Sequence, residues 1–99
     1  MKIERWEEAN QLRIRVEQKS PADLEAMGVA KWPTWTKEIS RFDWFYDEPE
    51  QCLFLEGQVT VETQAGPVSF GKGDFVTFPK GLACVWNVET PVKKHYKFG

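Results

Sequence analysis

Two glycine-rich turns and the strand between them constrain this chain most, and they lie within residues 71–86. Gly71 and Gly73 can adopt the backbone angles that tight turns need, and Phe75 to Phe78 has the aromatic and β-branched content of a strand. Pro79 cannot donate to a strand ladder, so it ends this strand. A new strand is therefore expected after it. The buried face of that strand would carry Cys84, Trp86 and Val88.

The rest of the chain repeats this pattern of short strands and turns. Alternating residues predict an N-terminal strand within residues 3–18, and the region 35–46 is expected to hold one or two strands. A turn at Gly57 would separate two further strands. The remaining predicted strands cover residues 51–56, 58–64, 68–70 and 91–98. In the last one, Val92, Lys94, Tyr96 and Phe98 share one face and Lys93, His95 and Lys97 share the other.

One short helix interrupts the strands. Ser20 is a favourable N-cap, Pro21 suits the first helical position, Asp23 suits the first turn, and Gly28 is a natural C-terminal cap. Many short strands with a single small helix and no βαβ alternation predict an all-β sandwich or barrel. With 99 residues, the chain is expected to be a single domain spanning residues 1–99.

Composition excludes several classes of partner. The net charge is −2 and no broad basic face is expected, so nucleic acid is not a predicted partner. The apolar runs are short and the N-terminus lacks the apolar segment of a signal peptide, which predicts a cytoplasmic protein without a membrane span. Cys52 and Cys84 are expected to be free thiols. The five Trp, seven Phe and two Tyr predict either a densely packed core or a ligand cavity with aromatic walls.

Three residues in the two glycine-rich turns have the spacing of a known motif. Gly73, Pro79 and Gly81 follow the pattern Gly-x5-Pro-x-Gly, and Cys84 stands three positions further along. This spacing resembles the second sequence motif of the cupins, a family of small jelly-roll barrels. The motif has a histidine where this chain has Cys84, and its asparagine falls one place early here, at Asn87.

A second segment resembles the first cupin motif. Glu50 precedes Gly57 by the spacing that the motif requires, but Trp44 and Tyr46 stand where its two histidines would be. Across residues 32–98 the chain is similar to single-domain cupins related to the cupin domain of ureidoglycine aminohydrolase. The resemblance implies a small single-domain cupin jelly-roll barrel with one short N-terminal helix.

The resemblance also implies a site in the mouth of the barrel. The motif positions Trp44, Tyr46, Glu50 and Cys84 would converge there, and strand alternation adds Cys52 and Trp86. Glu50 would act as general acid or base, with Tyr46 orienting it or donating to a substrate oxygen. The alternative for Glu50 is an exposed turn residue.

The other candidates each have two interpretations. Trp44 and Trp86 are either flat walls for a small ring or a planar ureido group, or ordinary core residues. Cys84 is either a reactive thiolate or a small buried hydrophobe. His95 is either a surface imidazole or a proton-transfer group that leans over the barrel.

Cofactor binding is not predicted, because the motif histidines are absent. A stable transition-metal site needs three or more protein ligands. Of the motif positions, only Glu50 and Cys84 can supply one, and Cys52 and His95 are additional candidate ligands. A divalent metal on Glu50 and Cys84 is therefore an alternative expectation.

Two functions follow from this set of residues. The preferred one is a binding module that holds a small polar metabolite in the barrel mouth. The alternative is a cupin enzyme, a ureidoglycine aminohydrolase-like hydrolase, lyase or isomerase, that uses Glu50 with Cys84, with or without the help of a metal. The N-terminal strand carries the apolar residues Leu12, Ile14 and Val16. These residues either pair with a second chain in a homodimer, which is a further expectation, or cover their own barrel.

Overall fold

The computed structural model of this protein describes residues 12–99. Its seven strands and two short helical segments follow one another in a fixed order. They are β1 (Arg15–Glu17), helix α1 (Pro21–Met27), a 3-10 turn (Val29–Lys31), β2 (Thr34–Lys37), β3 (Ser40–Phe45), β4 (Glu50–Thr63), β5 (Gly66–Gly71), β6 (Phe75–Phe78) and β7 (Ala83–Phe98). The predicted N-terminal strand is present as β1, and its part before residue 12 lies outside the described residues.

Helix α1 begins and ends where its capping residues predict. The Ser20 hydroxyl accepts a hydrogen bond from the Asp23 backbone N–H at 3.1 Å, and Pro21 occupies the first helical position. Gly28 ends the helix in the left-handed conformation with φ of 70°. Local sequence alone was therefore enough to place this helix.

All strand pairs are antiparallel, in the order β1-β6-β4-β7-β2, with β3 also paired to β7 and β5 to β4. The long strands β4 and β7 each take part in two halves of the sheet. The first half of β4 pairs with β6 and with the end of β7, whereas its second half pairs with β5 and with the beginning of β7. The predicted all-β fold with one short N-terminal helix is confirmed.

The predicted turn at Gly57 is wrong. Gly57 lies inside the continuous strand β4, at a series of register shifts against β7, and has a φ of 97°. The predicted separation of residues 83–88 from 91–98 is wrong for the same reason, because β7 runs through both. Pro91 falls between the pairs Gln58–Thr90 and Glu56–Lys93, where the ladder is interrupted, so its missing N–H breaks no regular pair.

The core joins the two halves of the sheet through aromatic rings. Phe78 lies with its ring centroid 5.5 Å from that of Trp86 and 5.8 Å from that of Phe70. Leu12 and Ile14 pack against this buried cluster, as expected if the N-terminal residues cover their own barrel. Val16 keeps 38% of its surface exposed.

Cys52 and Cys84 are both buried free thiols, as predicted. Within residues 12–99, no helix is long and apolar enough to cross a membrane.

Candidate functional site

A cavity of about 170 Å³ opens between strands β2, β3 and β7 and the beginning of β4. An engineered apolar cavity of about 150 Å³ in another protein holds benzene, so this volume suits a molecule of that size. Most of its wall is aromatic, from Trp35, Phe42, Trp44, Trp86, Tyr96 and Phe98. The polar groups of the wall belong to Tyr46, Glu50 and Lys94.

Strand geometry brings the three polar residues together. Tyr46 directly follows β3, Glu50 is the first residue of β4, and Lys94 lies on the inward face of β7 between Val92 and Tyr96. Because alternate residues of a strand point to one face, the apolar face of β7 delivers a lysine into the cavity wall. Both charged side chains are buried, with Glu50 and Lys94 only 3% and 4% exposed.

The Glu50 carboxylate accepts one hydrogen bond on each oxygen. The Tyr46 hydroxyl donates to Oε1 at 2.8 Å, and the Lys94 ammonium donates to Oε2 at 2.9 Å. The second contact is a buried ion pair. Glu50 is therefore not the exposed turn residue that was one of its two interpretations.

Lys94 is surrounded by groups that stabilise a positive charge. Its Nζ lies 3.4 Å from the Cys52 sulfur, 4.8 Å from a Trp86 ring centroid and 4.9 Å from a Trp35 ring centroid. Cation–π contacts of this kind strengthen when the ammonium is removed from water. The lysine thus has a carboxylate on one side and aromatic faces around it.

The other ionisable groups near this pair stay protonated at neutral pH. Burial raises the pKa of the Tyr46 hydroxyl, and the charge of Glu50 raises it further. Burial also raises the pKa of the Cys52 thiol, against the opposing charge of Lys94. The formal charges of the polar wall are therefore those of Glu50 and Lys94, which cancel.

Cys84 lies apart from this cavity. It borders a shallow surface groove beside β3, together with Asp43 and Glu62, and its thiol donates to the Trp44 carbonyl at 3.6 Å. Burial raises its pKa to about 11, with a smaller opposing effect from the Trp86 indole N–H and a further increase from the charge of Glu50. At neutral pH it is a thiol rather than the thiolate that nucleophilic chemistry needs.

The structure brings together four of the seven sequence-predicted site residues. Trp44, Tyr46, Glu50 and Trp86 line the cavity. Cys52 is fully buried behind Lys94. Cys84 and His95 are not among the cavity-lining residues; the His95 Nδ1 lies 2.9 Å from the Trp32 carbonyl oxygen.

The sequence analysis did not name the aromatic wall residues Trp35, Phe42, Tyr96 and Phe98 as site residues, and it missed the charged residue Lys94. The signal was present in the alternation of β7, which places this lysine among Val92, Tyr96 and Phe98 on one face. A lysine on an apolar strand face is almost never fully buried without a partner. Its partner could not be read from the alternation, because Glu50 lies 44 positions away.

The cupin resemblance implies a bound metal, and the donor set here does not fit one. Trp44 offers no ligating atom, Cys84 lies outside the cavity, and Glu50 is the only carboxylate among the cavity-lining residues. Both Glu50 oxygens already accept hydrogen bonds. In the part of the chain that the structure describes, no group of three or more His, Cys, Asp or Glu residues is placed to hold a metal ion.

Comparison with known families agrees with this fold. The family model of the EutQ-like cupin domain matches residues 24–96. The chain belongs to the EutQ-like cupin family. None of the curated proteins matches this EutQ-like cupin.

Three solved structures show the range of similarity to this EutQ-like cupin. A DUF861 family protein from Thermotoga maritima is 49% identical, with a TM-score of 0.85 over 88% of this chain and 100% of its own. The EutQ protein of Clostridium difficile is 17% identical, with a TM-score of 0.62 over 86% of this chain and 66% of its own. A cupin superfamily protein from Desulfitobacterium hafniense is 9% identical, with a TM-score of 0.52 over 85% and 74% of the two chains. The last two similarities concern the fold alone.

Proposed function

We propose that this EutQ-like cupin binds a small polar metabolite in the aromatic cavity, with Tyr46, Glu50 and Lys94 as its polar contacts. The observation that carries the proposal is the buried Glu50–Lys94 ion pair in the wall of an otherwise apolar cavity. An aromatic pocket with a few convergent polar groups is the usual form of a small-molecule site.

The ion pair supports binding because a buried ion pair is weak evidence of a stabilising role. Burying two charges costs several kcal/mol per ion, and well-packed apolar residues in their place are often as stable or more stable. Charged side chains in the wall of an apolar cavity can instead provide the few polar contacts that orient a ligand. Its position beside Tyr46 places donors and an acceptor within one small area of the wall.

The shape of the wall favours a flat ligand. The rings of Phe42 and Trp86 lie nearly parallel, at 18°, and the Trp35 ring stands at 76° to that of Trp86. Flat aromatic faces in these arrangements provide stacking and edge contacts for a planar molecule. A small ring or a planar ureido group is flat enough to contact these rings and can carry polar atoms toward Tyr46, Glu50 and Lys94.

The proposal is tested by screening a panel of small planar compounds that includes amides, ureas, carboxylates and amines. Binding would be measured by ligand-observed NMR and by quenching of tryptophan fluorescence. We expect at least one compound to bind the natural chain. We also expect Tyr46→Phe or Glu50→Gln to weaken that binding by about tenfold, as for the loss of one hydrogen bond.

The matched control is Glu62→Gln, which removes a carboxylate that pairs with Arg41 and Asn87 away from the cavity. This variant should bind like the natural chain. Failure of every compound to bind, or equal weakening by Glu62→Gln, would contradict the proposed site.

A second candidate function is catalysis by the same cavity. Glu50 hydrogen-bonds to two proton donors, Tyr46 and Lys94, and such a buried set can move protons in a hydrolase, lyase or isomerase, including an activity like that of ureidoglycine aminohydrolase. In an enzyme, Glu50→Gln would remove turnover with little change in affinity, whereas in a binding module it changes affinity alone. Cys84 would join this chemistry only through its thiolate, which its pKa of about 11 disfavours.

A metal-assisted form of that candidate would require Glu50 and Cys84 as ligands. Elemental analysis of protein purified without chelator or metal-affinity steps, beside Cys84→Ser, tests it directly. Near-stoichiometric metal that is lost in the variant would support metal-assisted catalysis. Equal metal content in the two proteins would remove Cys84 from any metal site.

We also propose a homodimer formed through β1. Val16 is the exposed member of the N-terminal apolar set, and edge strands with such residues readily pair with another chain. Light scattering should give twice the mass of one chain, and Val16→Lys should shift it toward the monomer. A monomeric mass for the natural chain would reject the proposal.

A further inference from the structure

The Lys94 ammonium lies in a site formed by one carboxylate, one sulfur and four aromatic rings. Besides Glu50, Cys52, Trp35 and Trp86, its Nζ lies 5.9 Å from the Phe54 ring centroid and 6.0 Å from that of Phe78. The cupin motifs imply a metal coordinated around Glu50, yet here Glu50 binds an ammonium of the chain itself at 2.9 Å. The positive charge of this cavity is therefore covalently attached to β7.

This ammonium has donor capacity left for a ligand. A lysine ammonium has three N–H donors, and the hydrogen bonds to Glu50 and Cys52 use two. Lys94 also lines the cavity, so an acceptor placed there can meet the third donor. A charged donor forms stronger hydrogen bonds than a neutral one, particularly away from water.

The charge of the wall limits the class of that acceptor. The formal charges of Glu50 and Lys94 cancel, and Tyr46 and Cys52 stay neutral because burial raises their pKa values. A ligand with a net charge would lose its hydration without a matching opposite charge. An uncharged carbonyl compound can accept from Lys94 without that cost.

We propose that the Lys94 ammonium is the ligand-binding cation of this cavity, that it donates to the carbonyl oxygen of an uncharged planar ligand, and that this recognition needs no metal ion. The inference rests on the proposed binding function and specifies its ligand class. It assigns to a lysine the place that the cupin motifs give to a metal.

The test uses benzamide and benzoate, which have the same size and differ in charge. Both are titrated into EDTA-treated protein, with affinity measured by NMR. We expect benzamide to bind the natural chain at least about tenfold more tightly than benzoate, since one charge is left without a counter-ion. Equal or tighter binding of benzoate would overturn the assignment of an uncharged ligand.

The lysine itself is tested in Glu50→Gln/Lys94→Met, where both charges are replaced by neutral side chains so that no unpaired buried charge opposes folding. The double variant should bind benzamide about tenfold or more weakly than Glu50→Gln alone, because only the loss of the charged donor separates these two variants. Lys93→Met, on the neighbouring residue whose side chain faces away from the cavity, should leave the affinity unchanged. Equal affinity of Glu50→Gln and the double variant, or a requirement for added metal, would overturn the role of Lys94.

A separate measurement tests the cation site without any cavity ligand. Lys94→Ala removes three methylenes and the ammonium, a space that n-propylammonium can fill. We expect this cation to raise the Tm of Lys94→Ala in a saturable manner and propan-1-ol to have no such effect. Equal responses to both compounds would show that the site does not select a cation.

The two proposals fail in different ways. If a panel compound binds and Glu50→Gln weakens its binding as much as the double variant does, the cavity function stands and the role of Lys94 is wrong. If neither benzamide nor any panel compound binds the natural chain, the proposed function fails, and this inference fails with it.

Discussion

Glu50 and Lys94 depend on each other because each would be a buried unpaired charge alone. They are 3% and 4% exposed and 2.9 Å apart. Removing one partner of a buried pair typically destabilises a protein by about 3 to 5 kcal/mol, whereas replacing both can be neutral. We therefore expect Lys94→Met to lower the free energy of unfolding by about 3 kcal/mol or more.

Urea unfolding of a double-mutant cycle checks this prediction. Glu50→Gln/Lys94→Met should recover most of the stability that Lys94→Met loses. Lys93→Met is the control for loss of a lysine from β7 and should change stability by less than about 0.5 kcal/mol. Additive effects of the two single substitutions would contradict a coupled pair.

The raised pKa of the Cys84 thiol predicts that the free energy of unfolding depends on pH in the alkaline range. Its pKa is about 11 in the folded chain, above its ordinary value of 9.0. A raised folded pKa contributes stability that is present below the ordinary value and is lost as the pH rises through the folded value. Stability should therefore fall between about pH 9 and 11.

The comparison with Cys84→Ser isolates this contribution. Urea unfolding at several pH values should show a shallower alkaline decline in the variant than in the natural chain, because serine does not ionise in this range. Cys52 and Tyr46 also have raised pKa values, so some decline remains in both proteins. Identical pH profiles would contradict the raised pKa of Cys84.

At the scale of elements, the pairing of the long strands β4 and β7 shifts register at Gly57. This residue has a φ of 97°, and a Cβ there would overlap the Pro91 carbonyl oxygen and lie 2.7 Å from the Val92 Cγ2. A side chain would add steric overlap to an already strained backbone angle. We expect Gly57→Ala to destabilise the chain by about 3 kcal/mol or more.

Gly73→Ala is the matched control for this substitution. Gly73 has a similar φ of 91° but nothing within 4 Å of its added Cβ. It should therefore show only the backbone strain, about 1 kcal/mol. Equal losses of unfolding free energy in the two variants would mean that the close approach of β7 does not matter.

Elements that have local sequence signals were predicted correctly, and the strand continuity at Gly57, which has no such signal, was not. The Ser20 cap and Gly28 terminator define helix α1 within a few residues. Gly57 looks the same locally in a turn and in a strand bulge, since both need a positive φ. Only the pairing of β4 with β7 distinguishes the two cases.

At the scale of the whole molecule, one aromatic cluster joins the two halves of the sheet. Phe78 contacts Trp86 across the core, and Tyr46 stacks on Phe78 with ring centroids 4.8 Å apart. Because neither half has a separate core, we expect a single cooperative unfolding transition. Far-UV circular dichroism and tryptophan fluorescence should give coincident urea curves, and separate midpoints would contradict a shared core.

The sequence by itself determined the all-β class, helix α1, the two free thiols and the cupin resemblance. That resemblance implied that Trp44, Tyr46 and Glu50 are neighbours, and strand alternation added Trp86. These features depend on alternation, caps and motif spacing, which are local or nearly local. The tertiary structure decided that Lys94 meets Glu50, and that Cys84 and His95 stand apart from the cavity. Those outcomes depend on the register of two long strands, which follows from long-range pairing that no short stretch of sequence contains.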